Sequence, residues 1–174
     1  INWYASQAWS TQYIGEDSQY YLFGCFVQGL AYSGYDGDQY GLIVKVAKSD
    51  NTITTNQVTV NTMNSSALAT RSDDSAPRMY LARDKSVYCS EFLSTSSTTT
   101  NGTLTLSTGT VNSSYAATQV TTSTFTSIYD LTNTALIKYD DGSGNFLLMY
   151  PTSTSALVFK KILVAADGSH AVTD

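Results

Sequence analysis

Two glycine-rich acidic turns hold the side chains best suited to chemistry: "GYDGDQ", with Asp36 and Asp38, and "YDDGSGN", with Asp140, Asp141 and Asn145. Each places oxygen ligands one or more residues apart in a loop that glycine lets curl, which is the chemistry of a calcium site. Neither run has the spacing of an EF-hand loop. Asp, Asn, Gly and Ser are also the ordinary residues of tight turns, so plain turns come first and structural calcium second. No other cofactor is expected.

The remaining reactive groups are few. His170, in "GSHAVTD", is the single histidine. A Ser-His-Asp system needs a histidine held by a carboxylate against a nucleophile, and the chain has no G-x-S-x-G elbow, so His170 reads as solvated. One histidine and the two distant cysteines, Cys25 and Cys89, do not make a tetrahedral zinc site without carboxylates. Each cysteine lies in an apolar run, "YYLFGCFV" and "SVYCSEFL", where it reads as a small buried hydrophobe, with a disulfide as the alternative. Glycoside hydrolysis needs two acids about 5 to 10 Å apart. Glu16 with Asp17, and Asp73 with Asp74, are sequence neighbours in polar loops, and such neighbours point apart.

Aromatic and amide side chains offer binding in place of catalysis. Trp3, Tyr4, Trp9, Tyr13, Tyr20, Tyr21, Tyr35 and Tyr40 crowd the first forty residues. Exposed tyrosine and tryptophan can stack on sugars or anchor a protein contact. The loop "AYSGYDGDQYG" makes Tyr35, Asp36, Asp38 and Tyr40 the candidate binding set, because loops on rigid scaffolds carry function. Three N-x-Ser/Thr triplets make Asn64, Asn101 and Asn112 candidate glycosylation sites.

Composition narrows the classes further. Charged residues are 13% of 174, whereas Ser and Thr number 48 and Tyr 13, the profile of a hydroxyl-covered β protein. Net charge is −5 and the nine Lys and Arg are scattered, so no basic stripe exists to neutralise a phosphate backbone and nucleic acid is excluded as a partner. No apolar run approaches the about 18 residues needed to cross a membrane as a helix. A chain that starts at Ile1 is expected to be processed or a piece of something longer.

The elements that must position these groups are strands. Sustained helical periodicity is missing, and only Ser65 to Asp74 suits a turn or two of helix. Runs such as "LFGCFV", "GLIVKV" and "FLLMY" are apolar at successive positions, which predicts sheets covered on both faces. "NTITTNQVTVNT" (51–62) and "GTLTLSTGTVNS" (102–113) match at five places and read as the same strand of two successive units. One domain of three repeats is expected, at about 1–62, 63–113 and 114–174, with a hairpin turn at Asn101-Gly102 and similar turns at Asp141-Gly142 and Asp167-Gly168. In the middle repeat, the weak run "SSTTT" stands where the first repeat has "LIVKV".

"SGYDGDQYGLIVKVAKSDNTITTNQVTVNT" and "STSALVFKKILVAADGSHAVTD" resemble the strand-and-turn units of bladed β-propeller repeat proteins, a repeat type found in phage tail fibres and in secreted or surface proteins. The resemblance implies an all-β, propeller-like fold of three bladed repeats, with a two-sheet sandwich as the alternative, and it brings no catalytic residues. The expected function is a non-catalytic structural or adhesion module of an extracellular, cell-surface or virion assembly whose partners are other protein subunits. A carbohydrate-binding module using the tyrosine-rich loops is the alternative, and a fragment of a secreted hydrolase ranks last.

Overall fold

The structure, a computed structural model, describes residues 5–29, 39–58, 78–95, 102–129, 134–139 and 143–174. Twelve strands follow one another: β1 (Ala5–Glu16), β2 (Tyr20–Gly29), β3 (Gln39–Ala47), β4 (Ile53–Val58), β5 (Met79–Ala82), β6 (Val87–Thr95), β7 (Gly102–Val111), β8 (Ala117–Ile128), β9 (Ala135–Lys138), β10 (Asn145–Ser153), β11 (Ala156–Val164) and β12 (His170–Thr173). They form three four-stranded sheets, β1 to β4, β5 to β8 and β9 to β12, each with its strands in chain order. Every pairing is antiparallel, and no sheet closes into a barrel. There is no helix among the described residues, hence none long and apolar enough to cross a membrane.

Alternation along the central strands explains the stacking. In β6, Val87 and Cys89 join one buried cluster and Tyr88, between them, joins another. Side chains at i and i+2 share a face, so the middle sheet is apolar on both sides. On one side Val87, Cys89, Leu104 and Leu106 pack with Leu136, Phe146, Leu148, Ile162 and Val164 of the third sheet. On the other, Met79, Leu81, Tyr88 and Val111 pack with Leu22 and Ile43 of the first. The three sheets therefore stack in chain order, with the middle one enclosed. That is the cover which the unbroken apolar runs require.

Strand assignment in the middle sheet differs from the repeat reading. The twin segments are not equivalent: 51–62 contains β4, the fourth strand of its sheet, whereas 102–113 contains β7, the third strand of the next. The second unit accordingly runs on to Ile128, with β8 as its fourth strand, and does not stop near 113. "TQVTTSTFTSI" is mostly Thr and Ser, and its exposure alternates residue by residue along most of the strand, as an edge strand's should. Gly102 pairs with Thr95 inside the ladder, so the connection spans 96–101 and is longer than the two-residue turn expected at Asn101-Gly102. "SSTTT" (96–100) falls wholly in that connection, outside the described residues; the helical candidate 65–74 and the Asp141-Gly142 turn also lie outside them.

Hydrogen bonds fasten each junction. Between the first and middle sheets, Tyr115 donates its hydroxyl to Asp17 Oδ2, and Asp17 Oδ1 accepts from the amides of Gln19 and Tyr20, both at 2.7 Å. Lys45 Nζ reaches Ser114 O at 3.0 Å. Between the middle and third sheets, Arg83 Nε donates to Val164 O at 2.7 Å, Tyr80 Oη to Leu136 O at 2.9 Å and Thr108 Oγ1 to Gly168 O at 2.8 Å. Arg83 sits in a turn whose residues Arg83, Asp84 and Lys85 all have left-handed φ, of 49°, 53° and 67°. Such backbone is disfavoured for non-glycine residues, and the hydrogen bonds of Ser86 to Arg83 O help to hold it.

The second junction also depends on two glycines. A Cβ at Gly109 would lie 1.9 Å from Thr118 O, and one at Gly168, where φ is +84°, would lie 2.7 Å from the Gly109 carbonyl carbon. Backbone meets backbone here, so neither site admits a side chain. Gly109→Ala should destabilise the fold by about 3 kcal/mol in urea unfolding, as overpacking against rigid backbone does; a loss under about 1 kcal/mol would contradict the contact.

Burial first, then the hydrogen bond to Asp17, push the Tyr115 phenol up from 10.0 to about 12. Burial also raises the Asp17 carboxyl, but the bonds from Tyr115 and the Gln19 and Tyr20 amides, with Lys85 nearby, outweigh it and hold the group below its ordinary value. An unfolded phenol ionises near 10.0 and the folded one near 12, so this contribution is complete below pH 10.0 and is lost as pH rises toward 12. Tyr115→Phe should therefore flatten the alkaline limb of a stability-against-pH curve measured by thermal unfolding; an unchanged limb would show that Tyr115 does not carry it.

Candidate functional surface

The acidic and tyrosine-rich turns do not come together as a described site. Tyr35, Asp36 and Asp38 lie outside the described residues, as do Asp140, Asp141, Asp73 and Asp74. Tyr40 is a strand residue of β3, opposite Val27. Asn145 opens β10, and its Nδ2 donates to Ser143 Oγ at 2.5 Å, tying the turn that leads into the strand. Among the described residues, no three His, Cys, Asp or Glu side chains group as metal ligands.

Of the glycosylation candidates, Asn64 and Asn101 lie outside the described residues. Asn112 is exposed in the β7–β8 turn. Its Oδ1 accepts from Ser114 N at 3.0 Å, Ser114 Oγ at 2.8 Å and Ala116 N at 3.0 Å. This side chain therefore organises the turn that delivers Tyr115 to Asp17, a local bond pattern typical of Asn.

Both cysteines are free and buried. Burial, and secondarily Glu91, hold the Cys89 thiol well above its ordinary range, which makes it a packing group and not a nucleophile. Glu91 is itself enclosed at the second junction, with Arg78 3.7 Å away, and Arg78 also donates to Thr134 O of the third sheet at 3.1 Å.

His170 is half-buried and hydrogen-bonded instead of freely solvated, contrary to expectation. The β11–β12 turn, tied by Ser169 to Asp167 and by Gly168 N to Ala165 O, brings it against the middle sheet. Its Nδ1 lies 2.8 Å from Thr108 Oγ1 and its Nε2 lies 2.7 Å from Ser123 Oγ. Thr108 spends its proton on Gly168 O, so it must accept from His170 Nδ1–H. The neutral tautomer with a proton on Nδ1 follows, leaving Nε2 to accept from the Ser123 hydroxyl. Chemically this is a serine-histidine pair whose third member is a neutral hydroxyl. It orients the ring without the negative charge that stabilises an imidazolium in a triad. What it does in this fold is clasp β12 to β7 and β8.

The larger feature is at the two ends of the stack. In the third sheet, Phe146, Leu148, Ile162 and Val164 face the middle sheet, so the intervening Leu147, Met149, Leu157, Phe159 and Leu163 face away from it. Leu157 is 54% exposed, Phe159 50%, and Leu163 and Ile137 45% each. Burying such a side chain is worth about 1.5 to 3 kcal/mol, so half-exposure of these four leaves on the order of 4 kcal/mol unrealised. In the first sheet, Leu22 and Ile43 face inward, and Tyr13, Tyr21, Phe23, Leu42 and Val44 face out. Tyr13 meets Phe23 edge to face at 5.9 Å, and Lys48 lies 4.7 Å from the centre of the Tyr21 ring. Contiguous apolar faces of this kind mark contact sites. Beside the third sheet's outer face, an open groove of 640 Å³ runs between Tyr129, Met149, Pro151 and the hydroxyls of Ser153, Thr154 and Ser155.

No family model, curated protein or solved structure matches this chain.

The open faces were legible only as continuous apolar runs, which said that cover was needed but not that one side of each outer sheet lacks it. The Thr108, Ser123 and His170 cluster left no sequence signal, because Thr108 and Ser123 stand among 48 similar residues.

Burial holds the His170 pKa below 6.5. The unfolded chain takes up its proton near 6.5 while the folded ring resists, so this contribution is full above that pH and is lost as pH falls below it. Between about pH 7 and pH 5, the stability of His170→Asn should fall less steeply than that of the parent in parallel urea titrations. Equal slopes would contradict the half-buried neutral ring.

Proposed function

We propose that the chain is a non-catalytic structural or adhesion module of an extracellular, cell-surface or virion-type assembly, acting through protein-protein contact. The observation that carries this reading is the pair of apolar faces at the two ends of the stack, with Ile137, Leu157, Phe159 and Leu163 exposed on one and Tyr13 and Tyr21 on the other. A surface poor in charge and rich in hydroxyls is consistent with extended packing against other polypeptides. The resemblance to bladed repeats of tail fibres and secreted proteins leans the same way. Glycans at Asn112 and calcium in the Asp140, Asp141 and Asn145 turn would fit that setting.

Carbohydrate binding is the second reading. It draws on the groove beside Tyr129, where one aromatic ring and three hydroxyl side chains line a space of sugar size.

Lysine cross-linking of the protein in its native source tests the choice. Lys161 stands on the third sheet's outer face and Lys48 on the first sheet's outer turn. Cross-links from both lysines to another polypeptide are expected. Glycan-array hits that vanish in Tyr129→Ala, without such cross-links, would transfer the function to the second reading. Hydrolytic turnover that tracks the purified chain and disappears in Ser123→Ala would overturn both.

A further inference from the structure

The two internal junctions are built to one plan. In each, the turn between a sheet's third and fourth strands reaches back to the sheet before it. Ser114 and Tyr115, in the β7–β8 turn, meet Lys45 and Asp17 of the first sheet. Val164 and Gly168, at the β11–β12 turn, meet Arg83 and Thr108 of the second. The apolar pattern follows the same order, because each sheet lays its forward face on the backward face of the next. Among the described residues, two faces are left out. No described residue packs on the third sheet's forward face or on the first sheet's backward face as the neighbouring sheets pack on the middle one.

We propose that these faces are the two halves of a third junction of the same kind, closed head to tail between two copies of this chain into a ring of six sheets. The proposal rests on the reading of the open faces as contact surfaces and commits to a second copy as what covers them. Continuity with the internal junctions argues for that occupant: a copy brings both missing halves at once. Two junctions then form per pair, and neither apolar face stays open. Pairing like with like would instead set Lys161, which shares the forward face with Leu147 and Phe159, against its own counterpart and leave the first sheet's face bare. A head-to-tail contact between unlike faces forms a closed ring where its rotation returns to the start. Six sheets fall within the roughly four to eight blades of closed propellers.

Sedimentation equilibrium on the full purified chain tests this. The expected mass is twice 18.8 kDa at micromolar concentration. Phe159→Glu, on one face, and Tyr13→Lys, on the other, should each weaken the dimer at least tenfold. An equimolar mixture of the two should dimerise again, since the mixed pair keeps one parental junction and sets Glu against Lys in the other. Circular dichroism checks folding, and Leu157→Glu, at the exposed rim, replaces Phe159→Glu if that variant loses its strands. A monomer at roughly 100 μM overturns the proposal, as does a mass beyond two copies. Dissociation by the Phe159 or Leu157 change, with Tyr13→Lys unaffected, indicates like-face pairing and also overturns it. A monomer whose lysines cross-link to a different polypeptide in the native source overturns the second copy and leaves the proposed function standing.

Discussion

A four-stranded sheet that is apolar on both faces cannot end in water on either side without loss, and the organisation of this chain follows from that constraint. The middle sheet meets it completely: Val87, Cys89, Leu104 and Leu106 are covered from one side, Tyr88, Leu81 and Met79 from the other. Among the described residues, the outer sheets meet it on one face only. Stacking is thus both what makes the fold possible and what leaves its ends unfinished, the property of repeat architectures in which each unit contacts its neighbours alone.

Area alone would let sheets slide, and the hydrogen bonds at the junctions prevent it. Most run from a side chain of one sheet to a backbone carbonyl of another, as with Arg83 to Val164, Tyr80 to Leu136 and Lys138 to Leu81. Hydroxyls satisfy one another inside the stack, where Tyr88 lies 3.2 Å from Ser107 Oγ and Ser107 donates to Gln119 at 3.3 Å. A chain with so few charges can therefore keep polar groups in its interior, provided each finds its partner. The exposed pairs, Lys48 with Glu16 and Lys160 with Asp174, add little by comparison.

The all-β class and the stacking were legible because "LFGCFV", "GLIVKV" and "FLLMY" are apolar at consecutive positions, a pattern that only cover on both faces explains. Position within a sheet was not legible. The segments containing β4 and β7 share Thr, Val and Asn at matched places yet serve as a fourth and a third strand, because alternating Thr suits any half-buried strand. Unit boundaries drawn from that likeness fell short by one strand in the middle sheet. His170 was misread for a related reason: exposure was inferred from its place near the end of the sequence, whereas Gly168 turns the chain so that the ring lands between two hydroxyls.

Amide hydrogen exchange, followed strand by strand on dilute monomeric protein, probes the enclosure of the middle sheet directly. Stacking in chain order predicts the slowest exchange in β6 and β7, which are central in their sheet and covered on both faces. The central strands β2, β3, β10 and β11 should exchange faster, through faces open to solvent. Slowest exchange in the first or third sheet, with β6 and β7 less protected, would contradict the stack.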